Sequence, residues 1–255
     1  MSDEQTLEEQ LLSQEAKRRL SEKLDGSEKI DVDIQTDILQ MLQGQADGVS
    51  ITGQGLVIQP NIRVQEIQLE TDSIAINPLS AIFGQIELNE PVNAIARIVL
   101  TTADINRALT SEYTRSLAQN FQLDMDGEII SFDPQNIELF LPGNGKIGLN
   151  AKLLIKSPKN THLFGATVIL HPRTNSQPIM LESVTCTEGK GISVELILAL
   201  SQKIQELENL PYFKWEDIAF RIIDMQVLEA SLILLIEANV KQISESQIEI
   251  INNIK

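Results

Sequence analysis

The stretch Ile30-Asp31-Val32-Asp33-Ile34-Gln35 alternates apolar and polar side chains without a break. Successive side chains of an extended strand point to opposite faces, so Ile30, Val32 and Ile34 share one buried face while the carboxylates and the amide meet water. Working outward, the same period of two recurs. Val49 and Ile51 share one phase and Leu56 and Ile58 the other, with Gly53 and Gly55 between them, which places a bulge at the glycines. Ile62 and Val64 give way to Ile67 and Leu69, then to Ile74 and Ile76, so the phase slips twice more. Repeated slips imply long, bent strands.

The second half repeats this grammar. Ile147, Leu149, Ala151, Leu153 and Ile155 alternate strictly, and strands are expected at Phe164–Leu170, Ile179–Cys186 and Ile218–Met225. The longest set is Leu228, Ala230, Leu232, Leu234, Ile236, Ala238 and Val240, where Ile233 and Leu235 make part of the strand apolar on both faces.

Helical spacing is confined to a few segments. Leu7, Leu11, Leu12, Ala16, Leu20 and Leu24 predict an amphipathic helix or a lightly tethered arm ending near Asp25-Gly26, with Lys17-Arg18-Arg19 a solvated face beside Glu15 and Glu22. Ile38–Gly44 and Pro78–Gly84 each read as one apolar turn closed by glycine, a hint of duplication. A helix opening at Thr102-Ala103-Asp104-Ile105 carries the stripe Ile105, Ala108, Leu109, Tyr113 and Leu117. A second, Val194 to Leu207 with Ser193 as N-cap, leaves almost no polar face over Val194–Leu200 and is expected to be covered all round. The tail, Ile243 to Ile254 with a capping box at Ser244 and Gln247, predicts a docking helix.

Of the 255 residues 42% are hydrophobic and 22% charged, the balance of a chain that folds. Twenty Lys and Arg against 36 Asp and Glu give a charge of −16, which repels phosphate backbones and excludes nucleic acid as a partner class. No run of about 18 apolar residues offers a spanning helix. The start, Met1-Ser2-Asp3-Glu4, lacks the cationic and apolar stretches of a secretory signal. With one cysteine, Cys186, and no internal disulfide, the expectation is a cytoplasmic protein, at most peripheral to a membrane.

The motifs argue against chemistry. Gly143-Asn144-Gly145-Lys146-Ile147-Gly148 has the glycine spacing of a dinucleotide site, but a strand follows where the phosphates need a helix N-terminus, so a hairpin turn is expected. His162 and His171 lie nine residues apart in one extended segment and cannot share a metal. Cys186 is in strand phase with Met180 and Val184 as a small apolar residue. Asp124, Asp126, Glu128 and Asp133 read as a solvated turn, since the downstream glutamate of a calcium loop is missing. No catalytic residue, metal or cofactor is nominated.

Val32-Asp33-Ile34-Gln35-Thr36 through Gly44, Ala46-Asp47-Gly48-Val49-Ser50-Ile51, and above all Leu100-Thr101-Thr102-Ala103-Asp104-Ile105-Asn106-Arg107-Ala108 resemble the LmeA-like phospholipid-binding family, over most of residues 29–240. The resemblance implies an α+β fold similar to tubular lipid-binding proteins: a long, strongly curved antiparallel sheet wrapped around one or two helices, with an apolar groove. It carries no catalytic residues. The expected organisation is an N-terminal helix or arm over 1–28, a lipid-binding-like domain over 29–240 with two related halves as one option, and a C-terminal docking helix over 241–255.

The function expected is therefore non-catalytic binding or transfer of a phospholipid or other amphiphile, with transient contact to a membrane surface. Ile105, Leu109, Leu117, Ile197, Leu200 and Ile204 are the lining candidates, and Arg97, Arg107 and Arg115 the head-group candidates. Two other classes fit the same residues: an adaptor with a packed core that engages an unknown protein partner through its acidic surface and terminal helices, and a lipid hydrolase using dispersed carboxylates.

Overall fold

The computed structural model describes residues 6–75, 88–112, 114, 122–125, 128–156, 160–189, 194–208, 213–215 and 218–240. The fold is α+β and dominated by antiparallel sheet. The chain divides into two compact units. Unit 1 holds the described residues within Met1–Val99, Tyr212–Ile222 and Leu234–Gln247, and unit 2 those within Leu100–Pro211 and Ile223–Ile233.

A seven-stranded sheet, to which unit 1 contributes most of the residues, runs in the order β1 (Lys29–Gln35), β3 (Gly48–Gln59), β4 (Ile62–Thr71), β6 (Val92–Thr101), β14 (Ser231–Val240), β13 (Ile218–Val227), β12 (Phe213–Trp215). A two-stranded ribbon, β2 (Gln45–Ala46) with β5 (Ile74–Ala75), lies beside α2 (Ile38–Leu42). Strand β6 buries Val92, Ala94 and Ala96 and exposes Asn93 and Ile95, an alternation the sequence analysis did not single out. The phase change in β3 falls where the glycines stand. Gly55 has a left-handed backbone, φ 59°, and the Glu28 side chain fills the place of its missing Cβ. The register irregularity itself comes past Gly55, between Val57 and Gln59, which corrects the expectation of a bulge at the glycines.

The N-terminal helix α1 (Leu7–Lys23) starts at a capping box, Thr6 Oγ1 accepting from Glu9 N–H and Glu9 Oε2 accepting from Thr6 N–H. It runs antiparallel to β1 and is fastened to it rather than tethered. Glu9 Oε1 accepts the Thr36 N–H at 3.2 Å, Ser13 Oγ accepts the Ile34 N–H at 3.1 Å, and Lys17 pairs with Asp31. Ser13 sits on the buried face, so the predicted leucine stripe is split, and Leu7 and Leu11 stay exposed.

Unit 2 holds a five-stranded antiparallel sheet in the order β11 (Met180–Glu188), β10 (Thr161–His171), β9 (Ile147–Lys156), β8 (Glu128–Phe140), β7 (Gln122–Met125). The β8–β9 connection is the expected hairpin turn, with Gly143, Asn144 and Gly145 all at positive φ. Helix α3 (Thr102–Leu109) packs on β8, and helix α4 (Val194–Glu208) packs on β7. Leu196 of α4 joins Leu123, Phe132, Ile155, Phe164 and Ala166 in one buried cluster, with Cys186 packed against its edge. Leu198 on α4 is 64% exposed, which corrects the expectation of cover all round. Strand β14 begins at Ser231 and not at Leu228, because the Leu228 N–H closes the β13–β14 turn on the Ser231 carbonyl. No helix among the described residues is long and apolar enough to cross a membrane. The Pro78–Gly84 turn and the C-terminal helix lie outside the described residues.

Candidate functional site

The junction that makes the sequence most recognisable is held by its own side chains. Thr101 caps α3, its Oγ1 accepting the Asp104 N–H at 3.0 Å and donating to Asp104 Oδ2 at 2.6 Å, with Asp104 buried. Both the N–H and the hydroxyl of Thr102 donate to the Ala230 carbonyl in the β13–β14 turn. Asn106 acts as a miniature strand against the uncovered edge of β8: its Nδ2 donates to the Leu139 carbonyl at 2.9 Å and its Oδ1 accepts the Leu139 N–H at 2.7 Å. These polar groups are engaged in fixing α3, so the junction is architecture.

The site candidates from sequence fall in several places. Ile105 and Leu109 are half-buried on α3, and Leu109 borders a dimple of about 40 Å³ against Pro134 and Ile137, room for little more than one water. Arg107 pairs with Asp104 at 3.5 Å. Arg97, on β6, pairs with Glu66 at 3.4 Å. Ile197 is half-buried on α4. Leu117 and Arg115, together with the side chains of Leu200 and Ile204, lie outside the described residues. His171 Nε2 and Lys146 Nζ both meet the Glu182 carboxylate, at 2.8 and 2.7 Å, and the Lys146 hydrogen bond is the main cause that holds the Glu182 pKa below the usual carboxylate range. Among the described residues no group of three or more His, Cys, Asp or Glu side chains is placed to hold a metal.

A larger opening lies between α4 and the β7–β8 hairpin. It measures about 290 Å³ and is lined by Gln122, Leu123 and Ile129 from the sheet and by Ala199, Gln202, Lys203 and Glu206 from the helix. The helix spacing of three, four and seven puts those four residues on one stripe. Leu123 and Ala199 also belong to the hydrophobic cluster, so the inner end is apolar, whereas Ile129 at the sheet side is 57% exposed. Lys203 is the one cation of α4, its side chain 20% exposed and its Nζ 3.1 Å from Glu206 Oε2. Gln202 Nε2 reaches the other Glu206 oxygen at 3.3 Å. An apolar end beneath a lysine and two amides is an arrangement that suits an amphiphile with a negative or polar head.

A model of the LmeA-like phospholipid-binding family matches residues 3–237, nearly the whole length. The chain belongs to the LmeA-like phospholipid-binding family. Comparison with curated proteins and with solved structures gives no match. Lipid is thus the kind of ligand this LmeA-like protein handles, and the match takes in α1, which the resemblance read from sequence did not cover. Sequence reasoning passed over Lys203, although a lone cation on a helix otherwise apolar and acidic was the available signal. Leu123 and Ile129 gave no signal, since their meeting with α4 depends on chain folding across some seventy residues.

Proposed function

We propose that this protein binds one phospholipid or related amphiphile non-catalytically and carries it between membrane surfaces, with an acyl chain against Leu123, Ile129 and Ala199 and the head group beside Lys203. The family match over residues 3–237 is the observation that carries the reading, and the α4 cleft supplies a place for it. Lys203 takes the head-group role in preference to Arg97 and Arg107 because it lines the cleft and they do not. Each methylene withdrawn from water contributes about 0.8 kcal/mol, so an acyl chain supplies ample driving force without covalent chemistry.

Native mass spectrometry of protein purified without detergent tests this. The wild type is expected to carry one lipid per chain. Ala199→Trp, which fills the cleft from the helix side, is expected to arrive empty with its circular dichroism unchanged. Full lipid occupancy in the folded Ala199→Trp variant overturns the placement in this cleft. A lipid-free wild type that stays empty after incubation with total host lipid overturns the carrier reading.

A further inference from the structure

Leu42, Leu7 and Leu39 are the three most exposed large apolar side chains among the described residues, at 70%, 69% and 69%, and Leu11, at 60%, comes fifth after Leu198 of α4. Leu7, Leu11, Leu39 and Leu42 sit at one end of unit 1. Because α1 runs antiparallel to β1, with Glu9 bonded to Thr36 and Lys17 to Asp31, the first turns of α1 lie at the end of β1 from which α2 departs two residues after Thr36. Leu7 and Leu11 are one turn apart on α1 and lie roughly opposite Glu9, hence away from the sheet. Leu39 and Leu42 are three apart on α2.

The charge around them selects the partner. Asp37 and Asp47 at this end are bonded to the neutral Gln40, Asp37 Oδ1 accepting its N–H and Asp47 Oδ1 its Nε2, so their charge stands. The cations lie further along α1, and carboxylates hold the nearest three: Lys17 by Asp31, Arg18 by Glu15 and Glu22, Arg19 by Glu15. Glu15 is held so firmly by Arg18 and Arg19 that its carboxyl titrates at about 2. An anionic surface would be repelled by such an end. A neutral interface that accepts leucines would not. The ligand class of the family resides in bilayers, so a protein that loads it must meet one.

We propose that the α1–α2 end of unit 1 docks on the zwitterionic face of a phospholipid bilayer, with Leu7, Leu11, Leu39 and Leu42 entering the interface. The proposal rests on the phospholipid-binding reading, and the test separates the two. Co-flotation is measured with phosphatidylcholine vesicles and with phosphatidylglycerol vesicles, for the wild type, for the pairs L7E/L11E and L39E/L42E, and for L228E, a change at a leucine 50% exposed in the β13–β14 turn. Binding of a short-chain phosphatidylcholine below its micellar concentration is measured on the same proteins by calorimetry.

The wild type is expected to float with phosphatidylcholine and less with phosphatidylglycerol. Each leucine pair is expected to lower the bound fraction at least about tenfold, the effect of withholding buried leucine area, while L228E floats normally and all four proteins bind the short-chain lipid alike. Docking is overturned if the pairs float as the wild type does, if phosphatidylglycerol is preferred, or if the wild type binds the short-chain lipid but not vesicles. It is also overturned if sedimentation equilibrium shows a lipid-free dimer that the pairs dissociate, which would assign the leucines to a second copy. Failure of the wild type to bind the short-chain lipid sinks the underlying phospholipid reading instead.

Discussion

Asn106 shows how much of this fold hangs on single side chains. Its carboxamide supplies both hydrogen bonds that a neighbouring strand would give to Leu139, and Leu139 is buried. Replacing Asn106 with Ala leaves a main-chain donor and acceptor without those partners, a loss of about 1–3 kcal/mol. The expected outcome is a lower urea midpoint at unchanged m-value, with faster amide hydrogen exchange at Leu139; exchange and midpoint equal to wild type would mean that water replaces the amide at no cost. The sequence makes Leu100–Ala108 its most recognisable stretch, yet the reason was not legible there. Asn106 and Leu139 are separated by thirty-three residues, and no periodicity encodes a bond of that range. Lys203 was equally hidden, because its role depends on which part of the sheet α4 covers.

At the scale of elements, α1 closes an edge. Strand β1 pairs with β3 on one side only, so its outward N–H groups at Ile34 and Thr36 would face solvent or another chain. Ser13 and Glu9 of α1 take them. Ser13→Ala with Glu9→Gln keeps the helix but weakens both bonds, and an isolated loss of this kind costs about 0.5–1.5 kcal/mol per bond. Faster exchange of the Ile34 and Thr36 amides, with β3 and β4 amides unchanged, is the expected signature by nuclear magnetic resonance; protection that survives would assign the edge to some other cover. Part of the strand set was legible, since alternation such as Ile147 to Ile155 fixes which face turns inward. What alternation could not locate was where a strand begins inside a long apolar run, as at Leu228, or whether an apolar helix is covered on both sides, as at Leu198. Both depend on neighbours contributed by distant sequence.

At the scale of the whole molecule, the chain leaves unit 1 after Val99, returns at Tyr212, leaves again after Ile222 and returns at Leu234, so neither unit is a contiguous segment. Ligand binding can then be read in the thermal stability of the full chain. A ligand at about a hundred times its Kd stabilises the folded state by about 2.7 kcal/mol, which for a chain of this size raises Tm by about 5–10 °C. Volume limits what the α4 cleft can take. At about 290 Å³ the α4 cleft stands at the lower limit of the roughly 300–1,000 Å³ that drug-sized ligands occupy, enough for part of one chain and too little for a complete two-chain phospholipid. If the cleft alone sets affinity, a single-chain lysophospholipid should raise Tm as far as the two-chain lipid at matched saturation, and Ala199→Trp should cancel both shifts. A rise confined to the two-chain lipid, or one that survives Ala199→Trp, would mean that the second chain finds apolar surface beyond Leu123, Ile129 and Ala199.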